Sequence, residues 1–177
     1  NAAIYCRQAD KLLVTLAEGT VNTLVDAETY TYDNTEKEEP DAALFSTVDL
    51  TLNGTGTLVV KAEFNNGIGS KDDLIIVSGK YDITAANHGI RGRDSLTVLD
   101  GSFAITSGND GLQSNNDTDV SKGWIRIQGG SFAITSGHDA IQSETDLTIL
   151  KGEFDILSGG GHAGTPSADG TDSDSYK

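Results

Sequence analysis

A four-residue motif returns along this chain at a fixed interval, and such an interval constrains the fold more than any local propensity does. Asn65-Asn66-Gly67-Ile68, Asn87-His88-Gly89-Ile90, Asn109-Asp110-Gly111-Leu112 and His138-Asp139-Ala140-Ile141 are equivalent segments. The steps Gly67 to Gly89 and Gly89 to Gly111 are both 22 residues, and the step Gly111 to Ala140 is 29. The excess of 7 falls within Asn115 to Gly123, a polar stretch that reads as a loop inserted at one corner of one repeat. Each motif is followed by Leu-x-Ile/Val, a glycine and an alternating strand. Leu74, Ile76, Gly79, Tyr81 and Ile83 correspond to Leu96, Val98, Gly101, Phe103 and Ile105, and the pattern repeats over 125–134 and 147–156.

A unit of three short strands cannot bury its own apolar face, whereas stacked units do, placing equivalent side chains in columns about 4.8 Å apart. The predicted fold is therefore an all-β, right-handed parallel β-helix, a single-stranded solenoid with rungs of about 22 residues. A β-propeller blade needs about 40 residues, and leucine-rich repeats carry helical segments and asparagine positions that this chain does not show. Upstream, Leu44, Leu50, Leu52, Leu58 and Val60 supply one rung, and Ile4, Leu12, Val14, Leu16 and Leu24 an earlier one. An acidic excursion over Asp26 to Pro40 separates the two. The β-helix is expected to cover residues 1–161, with 162–177 a Gly/Ser/Asp-rich tail or linker. Ala2-Ala3-Ile4-Tyr5 reads like the middle of a repeat, so rungs or a removed leader are expected ahead of Asn1.

Composition narrows the partners. Aromatic residues make up only 6% of the chain, so the core must be Leu, Ile and Val. Twelve Lys plus Arg against 27 Asp plus Glu give a net charge of -15, which opposes binding to nucleic acid or to anionic membrane surfaces. No window approaches the roughly 18 apolar residues of a membrane span, so no membrane insertion is expected. The single Cys6 cannot form an internal disulfide, and it falls in a column of small residues with Ser46, Ser70, Gly92, Ser114 and Ser143, where packing is the expected role.

Two polar corners flank the short strand that carries Ile68 and its equivalents. One corner reads Asp41, Asn65, Asn87, Asn109, His138, with Ala42, Asn66, His88, Asp110, Asp139 beside it. Asn65, Asn87 and Asn109 suit an amide ladder that satisfies turn backbone. The other corner reads Lys71-Asp72-Asp73, Arg93-Asp94-Ser95, Asn115-Asn116-Asp117 and Glu144-Thr145-Asp146. Calcium requires 6 to 8 oxygens, and acidic and amide side chains on successive rungs can surround one ion. The candidate calcium ligands are Asp72, Asp73, Asp94, Asn109, Asp110, Asn116, Asp117, Asp139, Glu144 and Asp146. The competing reading is a solvated acidic edge. Zinc is not expected, because His88, His138 and His162 lack partner cysteines and close spacing. Among the scarce cations, Lys71, Arg91 and Arg93 lie beside the acidic corner and could hold the carboxylates of an acidic sugar chain. They could equally compensate nearby Asp charge. Trp124, at the end of the inserted loop, could stack on a sugar ring or fold back as a lid.

The segments Ala-Leu-Phe-Ser, Gly-Ile-Gly-Ser-Lys-Asp-Asp-Leu, His-Gly-Ile-Arg-Gly-Arg-Asp-Ser-Leu, Asn-Asp-Gly-Leu-Gln-Ser and Asp-Ala-Ile-Gln-Ser-Glu-Thr-Asp-Leu resemble those of a bacterial carbohydrate-binding β-helix family. That family is similar in fold to pectate lyases, and the resemblance runs from about Ala2 to Gly161. It implies a secreted or cell-surface bacterial domain, calcium at Asp72, Asp73, Asp94, Asp110 and Asp139, and plant cell-wall polysaccharides such as cellulose or polygalacturonate as partners. His88 departs from the family pattern where Asp is expected, and Ala140 departs where Gly is. The expected function is a non-catalytic, monomeric polysaccharide-binding module. The alternatives are a calcium-dependent pectate-lyase-like β-elimination enzyme, with Lys71, Arg91 or Arg93 as base, and a structural or adhesive surface repeat. Short corners favour binding over a deep catalytic cleft.

Overall fold

The computed structural model describes residues 1–32 and 39–159. These form 18 strands in three parallel sheets of six, so each rung contributes one strand to each sheet. The first sheet stacks β1 (Ile4–Cys6), β4 (Ala42–Ser46), β7 (Asn66–Ser70), β10 (Ile90–Gly92), β13 (Leu112–Ser114) and β16 (Ile141–Ser143). The second stacks β2 (Leu12–Leu16), β5 (Leu50–Gly54), β8 (Asp73–Ile76), β11 (Ser95–Val98), β14 (Trp124–Ile127) and β17 (Leu147–Ile149). The third stacks β3 (Val21–Val25), β6 (Thr57–Ala62), β9 (Lys80–Ala85), β12 (Ser102–Ser107), β15 (Ser131–Ser136) and β18 (Glu153–Ser158). This is the parallel β-helix expected from the repeat. The tail assigned to 162–177, with His162, lies outside the described residues.

The register obeys the repeat residue by residue. Leu44, Ile68, Ile90, Leu112 and Ile141 form one continuous column, and Leu50, Leu74, Leu96, Ile125 and Leu147 another. Alternation along a strand sends every second side chain inward, and β9, β12 and β15 accordingly bury Tyr81 and Ile83, Phe103 and Ile105, Phe132 and Ile134. The seven-residue excess leaves the sheets undisturbed: Ser95 pairs with Trp124 and Leu96 with Ile125 across it. The acidic excursion falls between β3 and β4 as anticipated.

Inside the solenoid the few aromatic residues are concentrated in one stack. Tyr81, Phe103, Phe132 and Phe154 lie ring on ring, with centroids 5.0, 4.7 and 4.8 Å apart and planes within 8° of parallel. Those spacings follow the strand separation, because identical side chains in register have nowhere else to go. The glycines that precede the ladder make room for it. Gly101 has φ +143°, and a Cβ there would meet the Phe103 ring at 2.9 Å. Gly111 is required for another reason, since its Cβ would sit 2.6 Å from the carbonyl oxygen of Ala140 on the next rung. Ala140 itself departs from the glycine column in the last described rung.

Truncating a ring in the middle of the stack removes contacts on both faces and leaves a cavity between rungs. Phe103→Ala should lower stability by about 3–5 kcal/mol, read from the denaturant midpoint followed by circular dichroism.

Candidate functional site

The outer face of the first sheet, between its two polar corners, gathers most of the side chains that sequence reasoning singled out. At the first corner, each side chain in the column Asn66, His88, Asp110 accepts the backbone N–H one rung above. Asn66 Oδ1 accepts from His88 N at 3.2 Å, His88 Nδ1 from Asp110 N at 3.3 Å and Asp110 Oδ1 from Asp139 N at 3.1 Å. A short acceptor is what this position demands, which explains how Asn, His and Asp alternate in one column. In the neighbouring column Asn87 Nδ2 donates to Asn65 Oδ1 at 2.7 Å, so the expected amide ladder joins Asn65 and Asn87, while Asn109 bonds to Asn87 through its backbone.

Asp110 is the centre of this corner. It is buried, Gln113 Nε2 donates to its Oδ2 at 2.7 Å, and the Nδ1 atoms of His88 and His138 lie 3.1 and 3.0 Å from its two oxygens. His138 Nδ1 is also 3.3 Å from Asp139 Oδ2. The two imidazoles respond oppositely. Burial holds His88 below the ordinary histidine range, outweighing the pull of Asp110, and the neutral ring can offer its lone pair to the Asp110 amide. The hydrogen bond to Asp110 and the charge of Asp139 raise His138.

At the second corner Asp72 and Asp94 meet one rung apart. Burial, together with the hydrogen bond and charge of Asp94, raises the Asp72 pKa. Burial pushes Asp94 in the same direction, yet Lys122 Nζ at 2.6 Å and Asn116 Nδ2 at 2.5 Å outweigh it and hold that carboxyl below the usual range. Asn116 Oδ1 is already committed to the inserted loop, accepting from the backbone of Thr118 and Asp119 and from the Thr118 hydroxyl.

The candidate calcium set therefore divides. Asp110 and Asp139 stand at one edge of the first sheet, Asp72 and Asp94 at the other, and the two groups do not converge. Asp117 does not follow the column assigned to it: the loop starts after Asn116, Asp117 lies exposed within it, and half-buried Trp124 takes the place beside Ser95. Asp73 accepts from Ser95 Oγ at 2.7 Å, while Glu144 and Asp146 are exposed. Half-buried Asn109 donates its backbone N–H to Asn87 and accepts one from His138, which places it in the turn backbone. Chemically, the Asp72–Asp94 corner offers oxygen donors, which suit calcium, whereas the Asp110 corner mixes oxygen with imidazole nitrogen, which does not.

The cations are also partly engaged. Lys71 pairs with Glu39, from the end of the excursion, and Arg91 with Asp41, which opens the first corner column, while Arg93 lies 4.0 Å from Asp94 and is partly exposed. Tyr5, Arg7, Glu39, Lys71, Asp72 and Arg93 line an open cleft of about 620 Å³. Above it, Arg91 Nε, Gln113 Oε1, Asn115 Oδ1 and Gln142 Oε1 are buried without a hydrogen-bond partner, as is Asp41 Oδ1. Sequence reasoning missed Glu39, Gln113, Gln142, Lys122, the pairing of Asp41 with Arg91 and the place of His138 beside Asp110. His138 had a visible signal, since it precedes Asp139 and its rung follows that of Asp110. Glu39 had none, because the repeat does not extend to the excursion.

Residues 1–177 match the family described as carbohydrate-binding domain-containing protein. The chain belongs to that family. A curated member from Acetivibrio thermocellus is 41% identical over 85 residues, which are 48% of this chain and 30% of that protein. A solved structure described as the polysaccharide lyase-like protein from C. thermocellum, gadolinium derivative, superimposes with a TM-score of 0.87 at 37% identity. That match covers 91% of this chain and 65% of the other, so the chain spans less than two thirds of either relative. Among the described residues, no helix is long and apolar enough to cross a membrane.

In metal-free buffer the imidazole signals of His138 and His88 should titrate on opposite sides of the ordinary histidine value near 6.5, His138 above and His88 below. Asp110→Asn should bring His138 down, because the carboxylate that holds its proton is gone; proton NMR against pH checks both.

Proposed function

We propose that this chain is a non-catalytic binding module for acidic polysaccharide of the plant cell wall, polygalacturonate in particular, working outside the bacterial cell or on its surface. The carrying observation is the open cleft lined by Arg7, Lys71 and Arg93 at one end of the first sheet, continued on the next rungs by Arg91 Nε, Asn115 Oδ1 and Gln142 Oε1, which are buried without a hydrogen-bond partner. Buried capacity of this kind is open to a hydroxyl-rich polymer or its bridging water when those side chains turn outward on binding. In that cleft, Arg7, Lys71 and Arg93 concentrate positive charge in a chain of net charge -15, which favours a carboxylated sugar over a neutral one. Membership of a carbohydrate-binding family agrees with this reading.

Asp72 and Asp94 are the residues that would hold calcium, since their carboxylates meet one rung apart and provide oxygen donors beside Arg93. Bound there, the ion would neutralise a uronate carboxylate next to Arg93. Lyase chemistry would in addition require an unengaged base at the sugar; Lys71 and Arg91 are paired with Glu39 and Asp41, which leaves Arg93 as the one candidate base without a close carboxylate partner. Trp124 is half-buried in the sheet corner, so the polar face and not a stacked indole bears the recognition.

Arg93→Ala should weaken retention on polygalacturonate about tenfold, the loss of one charge-assisted hydrogen bond, measured by affinity electrophoresis at low salt. Unchanged retention would remove the basic cleft from the site. Added chelator should reduce retention further; if it does not, the calcium part fails while the polysaccharide part stands. Growth of unsaturated-uronate absorbance during incubation would replace the binding module with a lyase.

A further inference from the structure

We infer that Asp110, His138 and Asp139 form a site for a first-row divalent transition metal of the zinc class, separate from the polysaccharide face and distinct in donor chemistry from calcium. Among the described residues, this is the one place where three side chains able to ligate a metal converge, with one ligand atom from each lying within 4.8 Å of the others. Two of the separations, 3.0 and 3.3 Å from His138 Nδ1 to Asp110 Oδ1 and Asp139 Oδ2, suit ligands around a tetrahedral zinc, for which bonds of about 2.0–2.1 Å place neighbours about 3.3 Å apart. Imidazole nitrogen suits zinc, cobalt and nickel and is foreign to the all-oxygen shell of calcium.

A second observation points to the same place. Gln113 is more than nine-tenths buried, its amide reaches Asp110 Oδ2 at 2.7 Å, and its Oε1 has no partner. An amide that turns over once Asp110 is bound to a metal brings the ion a fourth ligand, its third oxygen, and satisfies the orphaned atom. His88, on the rung below, accepts the Asp110 backbone N–H through Nδ1 and so holds the backbone that carries this carboxylate, a positioning role. His138 and Asp139 remain open to solvent on the outer side, with side chains 69% and 54% exposed, so the metal can enter there and keep a coordinated water.

The test is isothermal titration of the chain with zinc and with calcium, with cobalt visible absorption as a report of nitrogen ligation. One zinc per chain is expected at this site, resistant to a calcium excess of about 100-fold. His138→Asn, which restores the residue type found one rung below at Asn109, should weaken zinc more than about tenfold, bleach the cobalt bands and leave calcium binding intact. Asp139→Asn should weaken zinc as well, and since both side chains are exposed, circular dichroism should show the fold unchanged. Absence of zinc binding, displacement of zinc by calcium, or equal zinc affinity in His138→Asn would each overturn the inference.

Discussion

Everything in this molecule depends on the parallel hydrogen-bond ladder that holds each rung on the one below. The ladder fixes a repeat distance of about 4.8 Å and allows no slippage, since a shift by one residue would turn each inward side chain outward. Once the distance is set, equivalent residues are neighbours whether or not they attract one another. The aromatic stack in the third sheet is the favourable case, and the meeting of Asp72 with Asp94 is the unfavourable one. A column is therefore a commitment: apolar columns deepen the core, and charged ones must find a counter-charge, a proton or an ion.

This chain answers that demand differently at its two corners. At Asp94 the inserted loop bends back and supplies Lys122, an internal cation whose own pKa is raised by the contact. At Asp110 the answer comes from within the ladder, where His88 stands in place of a carboxylate on the rung below and His138 brings an imidazole against Asp110 and Asp139 from the neighbouring column. Two imidazoles around one buried acid relieve the repulsion that stacked aspartates would suffer, and they also change which ions the corner can accept. The departure at His88, which counts against a family-type calcium rung, is thus part of a different local chemistry.

The repeat made the fold legible because a parallel β-helix translates sequence period directly into spatial period. Core columns, the corner insertion and the Asn65–Asn87 ladder could all be placed by counting from Gly67. Counting failed wherever the chain left the period. Asp117 was assigned to the corner because it follows Asn115 and Asn116, yet the loop departs one residue earlier, and Trp124 re-enters the column in its place. Glu39 could not be matched to Lys71, since it belongs to an excursion outside the repeat, and Asp41 reaches Arg91 across two rungs and between columns, which counting along one column does not show. His138 was set aside for lack of sequence spacing, although in a solenoid a separation of 28 residues from Asp110 can mean adjacency.

The corner insertion carries a consequence for how such a chain can diversify. Strands on either side of the inserted loop keep their pairing to the residue, so seven extra residues were accommodated without disturbing a core column. Lengthening a surface loop costs little, about 0.6 kcal/mol for each doubling, whereas altering a strand affects the rungs above and below. Novelty in this architecture is therefore inexpensive at its corners and costly along its sides, and a single lysine delivered by one such loop was enough to change the electrostatics of two rungs.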